Sequence, residues 1–402
     1  MASDLHNQIS DFGFRVSDSA VASGKAPTVR AFRVGLTACV AFALAIALAA
    51  RPVVAAPISP TLPKQVDKAT SDSIEKGLRY LANTQRPDGQ WVGSGGGMGG
   101  SYPTVMTSLA GMAFIAGGST PESGPYAKNV RRALMYIMRV AESEKDGLIA
   151  GAGTEGRSMY GHGFSMLFLS QCYGMDLDPK TEERLRKILD KAVTVVVNSQ
   201  SDLGAQNNNA GGWIYTPEQK GDEGSVTVTQ LQALRGCRNV GIKVPKRTIE
   251  RAVAYLKHTQ NADGGISYSA QSRGGSRPAI SAAAIACFYA AGVYDRQAGG
   301  KGVESEMVDK LKKYCSGQIT VDGNNSQFSG YYFYTHIYYA EALYQAAGDD
   351  WTKYYDKMKV KLASMQAPDG SWNGDNIGTT YGTAIATLIL QLPYGYLPIC
   401  QR

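Results

Sequence analysis

The chain has 402 residues, of which 44% are apolar and 19% charged. It carries enough apolar side chains to bury a large core and too few charges to stay disordered. Against 34 Asp and Glu it sets 41 Lys and Arg, a formal charge of +7; the excess is mild, and without a basic run or basic-aromatic stripe it offers nothing to nucleic acid.

Residues 1–56 read as a targeting element. Arg30 and Arg33 precede an uncharged stretch from Val34 to Ala50, and small residues follow around Val53, Ala55 and Ala56. Cleavage is expected near Ala55, which makes the protein exported, periplasmic or extracellular. The apolar run is near the lower limit for crossing a bilayer, so an uncleaved N-terminal anchor is the alternative. No later stretch suits a span, because Thr383 to Leu392 is too short and runs into Pro393. Residues 57–65 form a linker, 66–392 the folded domain and 393–402 a C-terminal tail. Cys39 lies in the targeting element. Cys172, Cys237, Cys287, Cys315 and Cys400 are odd in number and show no CxxC spacing, which favours buried free thiols over disulfides or a zinc site.

Beyond residue 65 the chain repeats itself. Four segments align: YLANTQRPDGQW (Tyr80 to Trp91), VVNSQSDLGAQNNNAGGW (Val196 to Trp213), YLKHTQNADGGISY (Tyr255 to Tyr268) and LASMQAPDGSW (Leu362 to Trp372). Their glutamines, Gln85, Gln200, Gln260 and Gln366, are spaced by one or two periods of roughly fifty to sixty residues. Degenerate copies fill the two long gaps, at Ala141 to Gly151 and Cys315 to Gly323, so there are six units.

In each unit a helix with a charged face leads into the turn, as in Asp178 to Ser199. An almost uncharged stretch follows it: Thr104–Ala116, Phe164–Met175, Val226–Leu234, Ile280–Tyr294, Tyr331–Ala347 with Glu341 as its one charge, and Thr379–Leu392. A helix apolar on all sides must be buried on all sides. The alternation predicts an all-α protein, an α/α toroid of six helical hairpins with six inner and six outer helices. Pro-Asp-Gly and Ala-Asp-Gly supply the turns between them.

The segment KGLRYLANTQRPDGQW, Lys76 to Trp91, resembles the QW repeat of squalene and oxidosqualene cyclases in its basic residue, glycine, aromatic, Gln, Gly and Trp. The resemblance runs from about Gln65 to Gln391 through the repeat units. It places the chain with the prenyltransferase and squalene-cyclase repeat proteins. By that likeness Gln85, Gln200, Gln260 and Gln366 would bond backbone at helix ends, and Trp91, Trp213 and Trp372 would pack over the turns. The cyclases' DxDD acid is missing, as are the prenyltransferases' Asp-x-Cys zinc partners and the Cys-Gly-Glu-Gln thioester segment. The family's activities therefore do not carry over, and no cofactor or metal is expected.

In such a ring the N-terminal ends of the inner helices share one mouth. His162 and His336 are expected there, as catalytic groups or as hydrogen-bonded structural histidines, with glycines around His162 letting a ligand approach; His258 ends an outer helix. Asp222 and Glu223 precede the third inner helix, as caps or as acids, with Glu155 and Asp375 in comparable places. A carboxylate pair drawn from these four would suit glycoside cleavage. Arg157, Arg273 and Arg277 approach the same mouth as anion grips or solvated loop charges. Tyr102, Tyr160, Tyr332, Tyr334, Tyr338, Tyr339 and Tyr381 make mouth and inner ring rich in aromatic faces.

Three functions compete. A pocket for an apolar, isoprenoid-like ligand predicts a deep apolar cavity. A glycan-active enzyme predicts carboxylates converging across an open cleft. A protein-binding scaffold predicts a filled centre and a large outer apolar patch. The oligomeric state is left open.

Overall fold

The computed structural model describes residues 62–93, 100–151, 153–202, 211–293, 300–323 and 331–401. Residues 1–56, where a targeting element is expected, lie outside them, Cys39 included. Among the described residues regular structure is helical, in twelve α-helices and two short 3-10 turns. No described helix is long and apolar enough to cross a membrane.

The helices alternate in character along the chain. The odd-numbered set is amphipathic: α1 (Lys68–Thr84), α3 (Ala127–Ser143), α5 (Pro179–Ser199), α7 (Lys246–His258), α9 (Gly302–Gln318) and α11 (Asp349–Met365). Each buries one face, such as Val130, Leu134, Ile137 and Met138 of α3, and keeps its charges in water. The even-numbered set is buried nearly all round: α2 (Pro103–Ala116), α4 (Ser158–Cys172), α6 (Gly224–Asn239), α8 (Pro278–Ala290), α10 (Tyr332–Ala346) and α12 (Thr379–Gln391). Every residue of α2 is buried.

Each even helix packs on the next, α2 to α4 and on through α6, α8, α10 and α12, and α12 returns to α2. The inner ring is therefore closed. Helix α4 begins at Ser158, six residues ahead of the apolar stretch, because Gly161 and Gly163 lie inside it. Glycine is a poor helix former, but a Cβ at Gly161 would sit 2.1 Å from Glu155 Oε2, and one at Gly163 2.7 Å from Thr229 Cγ2. These glycines admit a loop carboxylate and the neighbouring helix.

The outer ring is stitched by its turns. Gln85 Nε2 donates to the Gly89 carbonyl of its own turn at 2.9 Å and to the Asn129 carbonyl of α3 at 3.1 Å. Gln200 reaches Gly211 and Thr248 on α7, Gln260 reaches Gly264 and Met307 on α9, and Gln366 reaches Gly370 and Ser73 on α1. Trp91, Trp213 and Trp372 lie buried over the turns, each donating its indole N–H to a carbonyl of the preceding outer helix. The turn glycine is pressed onto the next outer helix. A Cβ at Gly89 (φ 99°) would lie 2.3 Å from the Arg132 carbonyl oxygen, and one at Gly370 (φ 91°) 2.6 Å from that of Lys76.

Residues 393–401 do not trail away. They fold under the ring, burying Leu397, Ile399 and Cys400 and packing on α6 and α10. The Ile399 peptide is gripped at both ends: its N–H donates to Gln171 Oε1 of α4 at 2.9 Å, and its carbonyl accepts from Gln345 Nε2 of α10 at 3.3 Å.

Candidate functional site

The inner helices enclose a chamber of about 200 Å3 along the ring axis. Its upper wall carries Tyr102, Tyr160, Ser225, Tyr334 and Tyr381; its middle is aliphatic and aromatic, with Leu109, Met112, Phe164 and Ile385. Leu397, Ile399 and Cys400 of the C-terminal segment make its floor. An apolar cavity of about 150 Å3 already admits benzene, so this one has room for a small apolar molecule. The centre is not filled by side chains.

Five of the expected tyrosines, Tyr102, Tyr160, Tyr334, Tyr338 and Tyr381, line the chamber. Burial raises the hydroxyls of the last four well above the ordinary tyrosine range, keeping them neutral. Tyr334 meets Tyr338 edge to face at 5.1 Å between ring centres. Tyr332 and Tyr339 turn the other way: Tyr332 donates to the Val321 carbonyl at 2.8 Å, and Tyr339 packs edge-on against Tyr354 of α11.

Three of the four carboxylates are occupied by helix ends, and the fourth, Asp222, by a hydroxyl and a loop N–H. Glu155, in the loop into α4, accepts from the Thr104 N–H at the start of α2 at 2.7 Å and from the Gly151 N–H at 3.0 Å. Asp375, in the loop into α12, accepts from the Phe333 and Tyr334 N–H groups of α10, both at 3.0 Å, and from the Tyr381 hydroxyl. Glu223 caps its own helix through the Val226 N–H at 2.8 Å and meets Ser225 and Tyr160. Asp222 accepts from the Tyr255 hydroxyl and the Ala270 N–H. Backbone carbonyls continue the scheme, since Tyr215 accepts from Met159 on α4 and Tyr268 from Gly224 on α6. The loop entering one inner helix thus satisfies the free N–H groups of the helix before it. Burial raises the pKa of Glu155, Glu223 and Asp375, and none of the four acids lines the chamber.

Both histidines sit deeper than the mouth and face the outer ring. The repeat explains why. In four units a hydroxyl one turn into the inner helix accepts the N–H that opens the turn's return strand: Thr107 from Trp91, Thr227 from Trp213, Ser281 from Ile266 and Thr383 from Trp372. His162 fills that place in the second unit. Its Nδ1 accepts from the Ile149 N–H at 3.0 Å, and Nε2 lies 3.1 Å from the Ala192 carbonyl of α5, which fixes the Nε2–H tautomer. His336 stands at the corresponding helix position in the fifth unit, with its Nδ1 3.0 Å from the Tyr354 hydroxyl. Burial lowers their pKa values to about 4 and about 3. Neither lines the chamber.

The arginines stay at the rim. Arg157 stacks over Tyr215 with 4.2 Å to the ring centre, Arg277 approaches Tyr268 at 5.9 Å, and Arg273 bonds the His258 carbonyl at the end of α7. The described cysteines are all buried and unpaired, and among the described residues no cluster of His, Cys, Asp or Glu is arranged to hold a metal.

The acid that does reach the chamber is Glu341. It is the sole acidic or basic side chain among the described residues of the wall. Gln232 of α6 and Gln345 donate to its Oε1 at 3.1 and 3.3 Å, and burial pushes its pKa up to about 7. Its sequence signal was its isolation as the one charge in an otherwise uncharged helix.

No family model matches the sequence, and no curated protein matches it. Solved structures do. The type II terpene cyclase MstE from Scytonema, in complex with geranylgeranyl dihydroxybenzoate, is 14% identical over 82% of this chain and 98% of its own, with a TM-score of 0.52. The GH76A alpha-1,6-mannanase from Salegentibacter sp. HEL1_6 is 10% identical over 81% and 99%, with a TM-score of 0.57. A D-mannose isomerase is 13% identical over 83% and 99%, at 0.54. The chain is an α/α toroid. At such identities the likeness fixes the toroid fold, and one toroid frame serves an isoprenoid substrate in the first neighbour and a mannan in the second.

Proposed function

We propose that the toroid holds an apolar, isoprenoid-like ligand along its axis, outside the cytoplasm. The observation that carries this reading is the chamber, whose wall is mainly aliphatic and aromatic. The glycan reading has less support, because Glu155, Glu223 and Asp375 are spent on helix ends, Asp222 is held by Tyr255 and the Ala270 N–H, and none of the four lines the chamber. Export rests on residues 1–56, with their basic residues, apolar run and small residues.

Native mass spectrometry of the purified chain, offered a panel of linear isoprenoids, tests the ligand. Wild type is expected to retain one molecule per chain, and Leu109→Trp with Leu388→Trp, which fill the chamber, to retain none while still melting cooperatively. A well-folded wild type that takes up no isoprenoid overturns the reading. N-terminal sequencing of secreted protein tests export, with a mature end near Ala55 expected.

A further inference from the structure

The chamber is not uniformly apolar. Gln232 and Glu341 face it from α6 and α10, and Gln391 from the end of α12. On α10, Glu341 lies seven residues beyond Tyr334, about 10 Å deeper along the helix at 1.5 Å per residue. The polar group is thus near the floor, with apolar wall between it and the tyrosines.

These residues hold more acceptors than donors. Gln232 gives its amide N–H to Glu341, which leaves Gln232 Oε1 buried without a hydrogen-bond partner. Gln391 gives its own to the Ala113 carbonyl at 3.0 Å, and its Oε1 is likewise buried and unpartnered. Both side chains are almost fully buried, at 3% and 1% exposure. A buried acceptor left unpaired is costly, and both glutamines, like Glu341, are among the residues that line the chamber. No Lys, Arg or His among the described wall residues could supply the missing donor.

We infer that Gln232 and Glu341 form a headgroup subsite for a neutral hydrogen-bond donor, so that the ligand is an apolar alcohol seated with its hydroxyl toward the floor. The inference rests on the reading of the chamber as an apolar-ligand site. A hydroxyl there donates to Gln232 Oε1 or to the carboxyl group while its chain lies along Leu109, Met112 and Ile385. A hydrocarbon leaves the acceptors bare. The carboxyl group, pushed up to about 7 by burial, spends much of its time neutral near neutral pH and gives a fixed cation less to bind.

The test is displacement of a solvatochromic probe from the full chain by farnesol, its methyl ether and farnesylamine. Farnesol is expected to bind about tenfold tighter than the ether, the worth of one good hydrogen bond. Glu341→Leu and Gln232→Met should each erase that preference while keeping the affinity for the ether, which also shows that the variants are folded. Equal binding of farnesol and ether to wild type overturns the subsite and leaves the apolar chamber standing. So does a preference that survives both substitutions, or farnesylamine binding tighter than farnesol. Failure of all three compounds to bind sinks the chamber reading itself.

Discussion

The side-chain amide of Gln366 donates to the backbone carbonyl of Ser73 at 2.9 Å, joining α11 to α1 across 293 positions of sequence. This is the bond that makes the last unit the neighbour of the first. Three further glutamines make the same bond between units adjacent in sequence.

Gln366→Ala should therefore destabilise the fold by about 1–3 kcal/mol, the effect of leaving the Ser73 and Gly370 carbonyls short of a donor. Hydrogen exchange should place the loss at α1 and α11. A change in denaturation midpoint equivalent to less than about 0.5 kcal/mol, typical of an inert surface substitution, would show that packing alone closes the ring.

Gly89 and Gly241 both hold positive φ, at 99° and 79°. They differ in surroundings, because a Cβ at Gly241 meets nothing within 4 Å while one at Gly89 collides with backbone. Gly241→Ala should cost about 1–2 kcal/mol from conformation alone. Gly89→Ala should cost clearly more, since α3 must move. Equal melting temperatures for the two variants would contradict the tight docking of turn on helix.

His162 makes the fold sensitive to acid. Folded, it titrates at about 4, against 6.5 for a free histidine. The unfolded chain therefore binds more protons between those values, and the stability that neutral His162 brings is complete above about 6.5 and lost as pH falls toward 4. His162→Thr places there the residue that serves three other units. Its denaturation midpoint should fall less steeply than that of wild type between pH 6.5 and 4, although it starts lower for want of the Ala192 contact. Parallel pH profiles would remove His162 from the account.

Glu341 has the opposite sign. Its folded pKa of about 7 lies above the ordinary 4.5, so the folded state gains from the proton, and stability is lost as pH rises from 4.5 through 7. Glu341→Gln should match wild type below pH 4.5 and exceed it at pH 8, by up to about 3 kcal/mol if the whole shift is realised. Chemical denaturation at the two pH values measures this directly.

The C-terminal segment should matter as much as a helix. Ile399→Asp puts a charge on the chamber floor, where Ile399 is 4% exposed. A loss of about 3 kcal/mol or more is expected from an unpaired buried charge, together with weaker binding of any apolar probe. Unchanged probe affinity in a folded variant would mean that the floor lies elsewhere.

The ring was legible because its signals repeat. Charges recur on every second helix, and even the degenerate turn at Ala141 to Gly151 keeps its glycine, Gly147, against Lys191 of the next outer helix. The site was less legible because it depends on which way single side chains face. His162 and Thr107 look unlike in sequence and occupy one structural slot, which only the shared N–H bond to the turn reveals. Glu155 and Asp375 stand just before inner helices, where an acid could serve catalysis or capping, but it is the N-terminus of the preceding helix that each one meets. The segment after Pro393 shows no periodicity, and its burial comes from the hole it covers.

The glutamine stitches end on the main-chain oxygens of Asn129, Thr248, Met307 and Ser73, and at two of the four the side chain answers, Asn129 and Ser73 each donating to the glutamine Oε1 at 2.8 Å. Every amino acid supplies the main-chain oxygen, so a change at the receiving position costs at most the returning side-chain bond. A frame fastened this way can outlast almost all of its own lettering. The ring is kept in a cyclase and a mannanase at 14% and 10% identity.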